Sequence, residues 1–231
     1  MMAIPNVART RVCLGEVVER YNLGAAQVSV KAMIMASAGL LAAYIPGGYR
    51  VGRKDLGIED ITVEFMRQRE ELGLTHLMVI DQDMEFPQDT IIRLARHGLP
   101  LVAGLYFQRR IDRPIPLLFN FDDDGVCVPA GWTPGELLER DATGAGCVLI
   151  AAEVLEAMGP PWWKCENDLV GEDIHFFRRA KEAGFQLVID TSVVCGHYVE
   201  GTLGLDDFLA WCSENSEEFI EGGKSNGFTR H

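Results

Sequence analysis

The stretch "HLMVIDQDMEFPQD", His76 to Asp89, sets four apolar residues directly before Asp81 and Asp83, two carboxylates one residue apart. Alternation along a strand turns both to one side, and a pair of carboxylates there suits a hard divalent cation such as Mg2+ or Mn2+. Carboxylates at the carboxyl end of a central strand also stand in the crevice where open α/β sheets bind ligands. The competing reading is a pair of turn or helix-capping aspartates. Asp122 and Asp124 in "FDDDG" have the same spacing but follow a polar hairpin strand and precede Gly125, so they read as a solvated turn.

Two more signals carry chemistry. Glu172 and Asp173 follow Gly171 in "VGEDIHFFRRAKEAGF", at a predicted helix start. They read either as a general base with its neighbour or as first-turn carboxylates favoured by the helix dipole. His197 in "DTSVVCGHYVEG" comes just after a predicted strand and a glycine, within reach of the same crevice, as a metal ligand or as a structural histidine. Two basic clusters, Arg109, Arg110 and Arg113 in "FQRRIDR" and Arg50, Arg53 and Lys54 in "GYRVGRKD", read as anion sites or as solvated loops.

The elements that must position these residues alternate along the chain between strand-like and helix-like patterns, as an α/β sheet covered by helices requires. A short first strand is expected over "MMAIP", breaking at Pro5, then a helix over "CLGEVVERYNLG" and a strand over "QVSVKAMIMA". "IEDITVEFMRQREELG" has Ile58, Ile61, Phe65 and Leu72 on one helical face and stops at Gly73. The strand "THLMVID" follows, then a helix over "FPQDTIIRLARHG", with Pro87 near its first turn and Gly98 just past its end. Beyond it come the buried strand "PLVAGLYF", a hairpin over "IPLLFNFDDDGVCVP" and the strand-to-helix passage "GAGCVLIAAEVLEAMG". A helix over "GEDIHFFRRAKEAG", a strand over "FQLVIDTSVVCGH" and a helix over "LDDFLAWCSENSEEFI" complete the chain.

At 231 residues, 48% hydrophobic and 24% charged, the chain is long and apolar enough to bury the core of one large domain. The formal charge of −13 repels polyanions, which disfavours non-specific binding to nucleic acid or anionic membranes. Six cysteines lie far apart without a C-x-x-C pair, which fits reduced thiols in a cytoplasmic protein. "MMAIPNVART" does not read as a secretory leader, and "AMIMASAGLLAAYIP" is too short and too rich in small residues for a membrane span. Residues 221–231, "EGGKSNGFTRH", are expected to form a flexible tail.

Taken in order, "VIDQDMEFPQDTIIRL", "LPLVAGLYFQRR", "TGAGCVLIAAEVLEAMGPPWW", "GEDIHFFRRAKEAGF" and the histidine of "VIDTSVVCGH" resemble the GT-A-type glycosyltransferases that use nucleotide sugars, in particular the family-2-like and galactosyltransferase-like branches. The resemblance runs roughly from Ala3 to Gly201. It implies a single GT-A domain over residues 1–220, Rossmann-like α/β with a mixed, mostly parallel sheet flanked by helices. Residues 1–106 would be its nucleotide-sugar half and residues 107–220 its acceptor-side half.

On that resemblance Asp83 would bind Mn2+ or Mg2+ on the donor diphosphate, Asp81 would contact the ribose or a metal-bound water, and His197 would complete the metal ligation. Asp173 would be the base of an inverting displacement, and Glu172 would orient acceptor or base. Pro5, Asn6 and Arg9 in "AIPNVART" resemble the first nucleotide-binding loop, and Arg53 stands for the arginine of an Arg-Asn pair that many relatives carry. Gly144, Ala145 and Gly146 would let backbone approach the donor sugar, while Trp162 and Trp163 would stack on sugar or acceptor rings or else pack in the core.

The implied partners are a nucleoside-diphosphate sugar, a UDP-sugar by preference, and an acceptor hydroxyl on a saccharide, small molecule, protein or modified DNA base. Compact stand-alone relatives look like those of bacteria and bacteriophages, some of which act on hydroxymethylated pyrimidines in DNA, where the base would have to be flipped out. A relative that binds nucleotide sugars without turnover is the alternative from another class. A haloacid-dehalogenase-type phosphohydrolase fits poorly, because Glu85 and Phe86 follow the aspartates where that family has Thr or Val and then Gly.

Overall fold

In the computed structural model, which describes residues 9–18, 24–48, 54–109, 114–166, 170–198 and 202–214, the first half runs β1 (Val12–Val18), α1 (Gly24–Ala36), β2 (Leu41–Gly48), α2 (Lys54–Leu72), β3 (His76–Asp81), β4 (Met84–Glu85), α3 (Thr90–Arg96) and β5 (Leu101–Leu105). The second half runs β6 (Phe119–Phe121), β7 (Cys127–Pro129), β8 (Leu137–Arg140), β9 (Cys147–Ala151), α4 (Ala152–Met158), α5 (Glu172–Glu182), β10 (Leu187–Val194), β11 (Gly196–Tyr198), β12 (Thr202–Leu203) and α6 (Leu205–Glu214).

Seven strands form one sheet in the order β2-β1-β3-β9-β5-β10-β8. β1 is parallel to β2 and β3, β5 is parallel to β10, β9 is antiparallel to both β3 and β5, and β8 is antiparallel to β10. Five strands therefore share one direction, which makes this the mixed, mostly parallel α/β sheet expected. Alternate residues divide the core in two. Leu77 and Val79 of β3 pack with Ile58, Ile61 and Phe65 of α2 and with Phe176 and Phe177 of α5, while Met78 and Ile80 pack with Val30 and Met33 of α1 and Ile91 and Leu94 of α3. By the same alternation Asp81 leaves the strand on the side where α2 and α5 begin.

Two expectations near the amino end are overturned. "CLGEVVERYNLG" does not form a helix: Val12–Val18 is a strand between β2 and β3. Its side chains reach both cores, Cys13 and Val17 one and Val12 and Leu14 the other. "QVSVKAMIMA" does not form a strand, because α1 covers it. The buried positions there are Ala26, Val30, Met33 and Ser37, at helical spacing, while Val28 and Met35 are 67% and 79% exposed. The expected strand "MMAIP" and the tail 221–231 lie outside the described residues.

The hairpin forms as expected between β6 and β7. Gly125 takes φ +75° at its turn, and the Asp122 carboxylate accepts the N–H groups of Asp124 at 3.0 Å and Val126 at 2.8 Å. None of the described helices is long and apolar enough to cross a membrane.

β1 carries a glycine where α2 lies closest: a Cβ on Gly15 would sit 2.5 Å from Ile61 Cγ2. Gly15→Ala is expected to lower stability by about 1–3 kcal/mol through this overpacking, measured as a fall in the urea midpoint at unchanged m-value.

Candidate active site

Asp81 ends β3, with its N–H donating to the Gly146 carbonyl at 3.3 Å. Its Oδ2 accepts from the Lys54 ammonium at 2.7 Å, and the same ammonium lies 3.9 Å from Glu172 Oε1. Lys54 opens α2 and Glu172 opens α5. The starts of two helices and the end of one strand therefore meet around one cation. Burial alone would push the Lys54 pKa down, but the charges of Asp81, Glu172 and Asp173 outweigh it and raise the pKa. Asp81 Oδ1 is buried and has no hydrogen-bond partner among the described residues.

Asp83 is held by a second device. β4 pairs antiparallel with β11, with Met84 opposite His197, and the Tyr198 N–H donates to the Asp83 carbonyl at 2.8 Å. This places His197 Nε2 3.5 Å from Asp83 Oδ2. His197 Nδ1 lies 2.8 Å from the Phe107 carbonyl, a contact that fixes the ring with Nε2 turned toward Asp83. Arg109 donates to Asp83 Oδ2 at 2.6 Å. Burial works to raise the Asp83 carboxyl, but the hydrogen bond and charge of His197, with Arg109 and Lys54, hold it below the usual range.

A carboxylate and an imidazole with its far nitrogen anchored are a donor pair that fits Mn2+ or Mg2+. Among the described residues no three His, Cys, Asp or Glu side chains are arranged to hold a metal ion. Asp83 and His197 would thus offer such an ion two protein ligands, and the rest of its shell would fall to water. Asp81 lies beside them with one oxygen on Lys54 and the other, among the described residues, free for a donor.

Asp173 lies in the first turn of α5, after the extended Gly171, and accepts the Ile174 N–H at 2.8 Å. Its pKa is raised to about 6, first by burial and then by the charge of Glu172, against the opposing pull of Lys54 and the Ile174 N–H. A carboxyl with that value is ionised at neutral pH yet basic enough to accept a proton. Glu172 accepts the Cys165 S–H at 3.4 Å. The face of α5 beyond the site is braced by Arg178, which donates to Gly125 O at 3.3 Å and lies over the Phe121 ring.

The glycines serve a neighbour that the sequence did not single out. A Cβ on Gly144 would fall 2.1 Å from the Tyr106 hydroxyl, and one on Gly146 would fall 3.1 Å from it and 3.3 Å from Asp81 Oδ2. That hydroxyl accepts the Gly146 N–H at 2.9 Å. The turn 144–146, with Ala145 buried in its middle, thus wraps the Tyr106 ring and hands its rigidity on to Asp81. Burial, together with the Asp81 charge, raises the Tyr106 pKa well above its ordinary value, so the phenol stays neutral.

Of the two readings of the tryptophans, stacking on sugar or acceptor rings and packing in the core, the structure bears out the second. Trp162 and Trp163 are only 5% and 2% exposed, their indole N–H groups donate to Leu155 O and Thr62 Oγ1, and Trp163 stacks on Phe176. Glu59 accepts both of their backbone N–H groups and fixes the segment on α2. Arg9 precedes β1, near Arg11, whose carbonyl accepts the Thr75 N–H at 2.8 Å. That is the amino edge of the sheet, the length of β3 away from Asp81. Pro5, Asn6, Arg50, Arg53, Arg110 and Arg113 lie outside the described residues.

No protein-family model and no curated protein sequence matches the chain. Among solved structures, the crystal structure of A197 from STIV is similar to it, with a TM-score of 0.59 at 15% identity over 86% of this chain and 92% of that one. At that identity the likeness shows a shared fold, and the chemistry has to be argued from the residues.

The Gly144–Tyr106 contact is testable. Gly144→Ala is expected to lower the thermal midpoint. In a Tyr106→Phe background, which itself costs about 1–3 kcal/mol because the Gly146 N–H loses its acceptor, the added cost of Gly144→Ala shrinks. A double-mutant cycle by urea denaturation measures the difference.

Proposed function

We propose that the chain is a metal-dependent glycosyltransferase that moves a sugar from a nucleoside-diphosphate sugar, by preference a UDP-sugar, to an acceptor hydroxyl with inversion. One observation carries the reading. Asp81 and Asp83, Glu172 and Asp173, and His197 come from three remote segments and gather at the carboxyl edge of the sheet, in the chain order of the motif resemblance.

Charge balance supports the cation. Among the described residues, four carboxylates, Asp81, Asp83, Glu172 and Asp173, stand against the two basic side chains Lys54 and Arg109. A diphosphate adds negative charge to a region already in excess, so its binding there calls for a divalent partner. Held by Asp83 and His197, Mn2+ or Mg2+ would offset the charge of the departing nucleoside diphosphate. Lys54 and Arg109 flank the same edge and are placed to meet phosphate oxygens. Asp173 takes the proton from the acceptor hydroxyl as its oxygen bonds to the anomeric carbon and the bond to the diphosphate breaks. Glu172 shares Lys54 with Asp81, and so ties the base to the donor side. The overall charge of −13 weighs against DNA and favours a saccharide, small-molecule or protein hydroxyl as acceptor.

Asp83→Ala is expected to abolish donor binding that depends on Mn2+, read by calorimetry with UDP-sugars before and after EDTA. Asp173→Asn should keep donor binding and lose about 10²–10⁴-fold in transfer; full activity in that variant would remove Asp173 from the role of base. Because the base must be ionised, kcat of the unmutated enzyme should fall as pH drops through about 6 and level off above it.

A further inference from the structure

Lys54 connects the two acidic ends of the site. Its half-buried ammonium lies 2.7 Å from Asp81 at the end of β3 and 3.9 Å from Glu172 at the start of α5, and the charges of Asp83 and Asp173 also act on it or are acted on by it. A compact, strongly hydrated cation among carboxylate oxygens is the chemical equivalent of a monovalent metal ion. The match is incomplete, however. Lys54 uses one oxygen of Asp81 and leaves Oδ1 buried without a hydrogen-bond partner among the described residues, an arrangement that costs free energy until another donor or cation uses that atom.

We propose that Lys54 is an internal counter-ion that occupies Asp81 and Glu172 in the donor-free protein and couples divalent-cation binding to donor binding by moving its ammonium onto the diphosphate. This rests on the glycosyltransferase reading of the same edge. Without a donor, the protein offers a cation Asp83 and His197, with Arg109 on Asp83 Oδ2 and the Lys54 ammonium on the neighbouring Asp81 as competing positive charges. An arriving diphosphate gives the ammonium phosphate oxygens to bond, so Asp81 is released and both of its oxygens turn to the cation site. Each ligand then tightens the other by the same factor, since coupling free energies are reciprocal. A lysine that only braced α2 against α5 would produce no such coupling.

The test is Mn2+ titration, followed by electron paramagnetic resonance, of the unmutated protein, Lys54→Met and Lys54→Arg, each alone and with saturating UDP. UDP should tighten Mn2+ on the unmutated protein by about tenfold or more. Donor-free Lys54→Met should bind Mn2+ more tightly than the unmutated protein, and UDP should add little to it. Lys54→Arg should restore the coupling in part, because the charge returns without the compact shape. Lys54→Gln removes the charge while keeping a hydrogen-bond donor, and stands in for Lys54→Met if urea melts show that variant unfolded. Mn2+ binding to donor-free Lys54→Met that is unchanged or weaker overturns the counter-ion proposal while leaving the metal reading intact. Absence of Mn2+ binding by every protein, with UDP present, overturns the metal reading and the proposal together.

Discussion

Four carboxylates converge where β3 ends, and like charges that close in a half-buried recess cannot all stay ionised unless cations stand among them. The Lys54–Asp81 pair at 2.7 Å is the contact on which this balance turns. At a separation of 4 Å and the effective dielectric of a protein surface, two unit charges interact by about 4 kcal/mol. That is enough to decide which carboxylate is ionised. Asp83, with His197 and Arg109 close by, is held down, whereas Asp173, with Glu172 beside it and deeper cover, is pushed up to about 6. One recess thereby contains two carboxyls of unlike acidity, separated by their surroundings rather than by residue type.

The rest of the architecture fixes where those surroundings stand. α2 and α5 begin at the recess because both pack on the same face of the sheet, with Ile61 and Phe65 of one and Phe176 and Phe177 of the other in a single core. Their first residues, Lys54 and Glu172, are delivered there by that packing. The β4–β11 ladder sets His197 against Asp83, and Tyr106, through Gly146, steadies the backbone of Asp81. Each polar group is thus held by an element whose own position depends on apolar burial.

Much of this was legible in the sequence, and the misses have physical causes. β3, α2, α5 and β9 could be read because their apolar residues carry one unambiguous period or a clear stop. β1 misled because Leu14, Val17 and Val18 fall at helical spacing, although a strand buried on both faces needs no alternation at all. α1 misled in the opposite sense: Val28, Val30, Ala32 and Ile34 alternate, yet the core takes Ala26, Val30 and Met33. With the first strand misplaced, a nucleotide loop was sought before it, at Pro5 to Arg9, whereas Arg9 lies at the opposite end of the strands from Asp81. That Asp81, Asp83, Asp173 and His197 would gather at one edge was legible, because each stands at the end of an apolar strand or at a helix start, and the sequence marks those boundaries. The partnership of Lys54 with Asp81 was not, since a separation of 27 positions leaves no local pattern to mark it. The double tryptophan was ambiguous by nature, and its indole donors found partners inside the protein.

β9 enters the sheet between β3 and β5, so a strand made late in synthesis separates and joins two made early. A nascent chain that has emerged only as far as Leu105 holds both neighbours without the segment that links them, and their facing edges stay open. Translation must proceed past Ala151 before the central ladder can close. The join between the β2-β1-β3 half of the sheet and β5 is thus among the last parts that can form as the chain emerges, and until then one edge each of β3 and β5 is open to pairing with another strand.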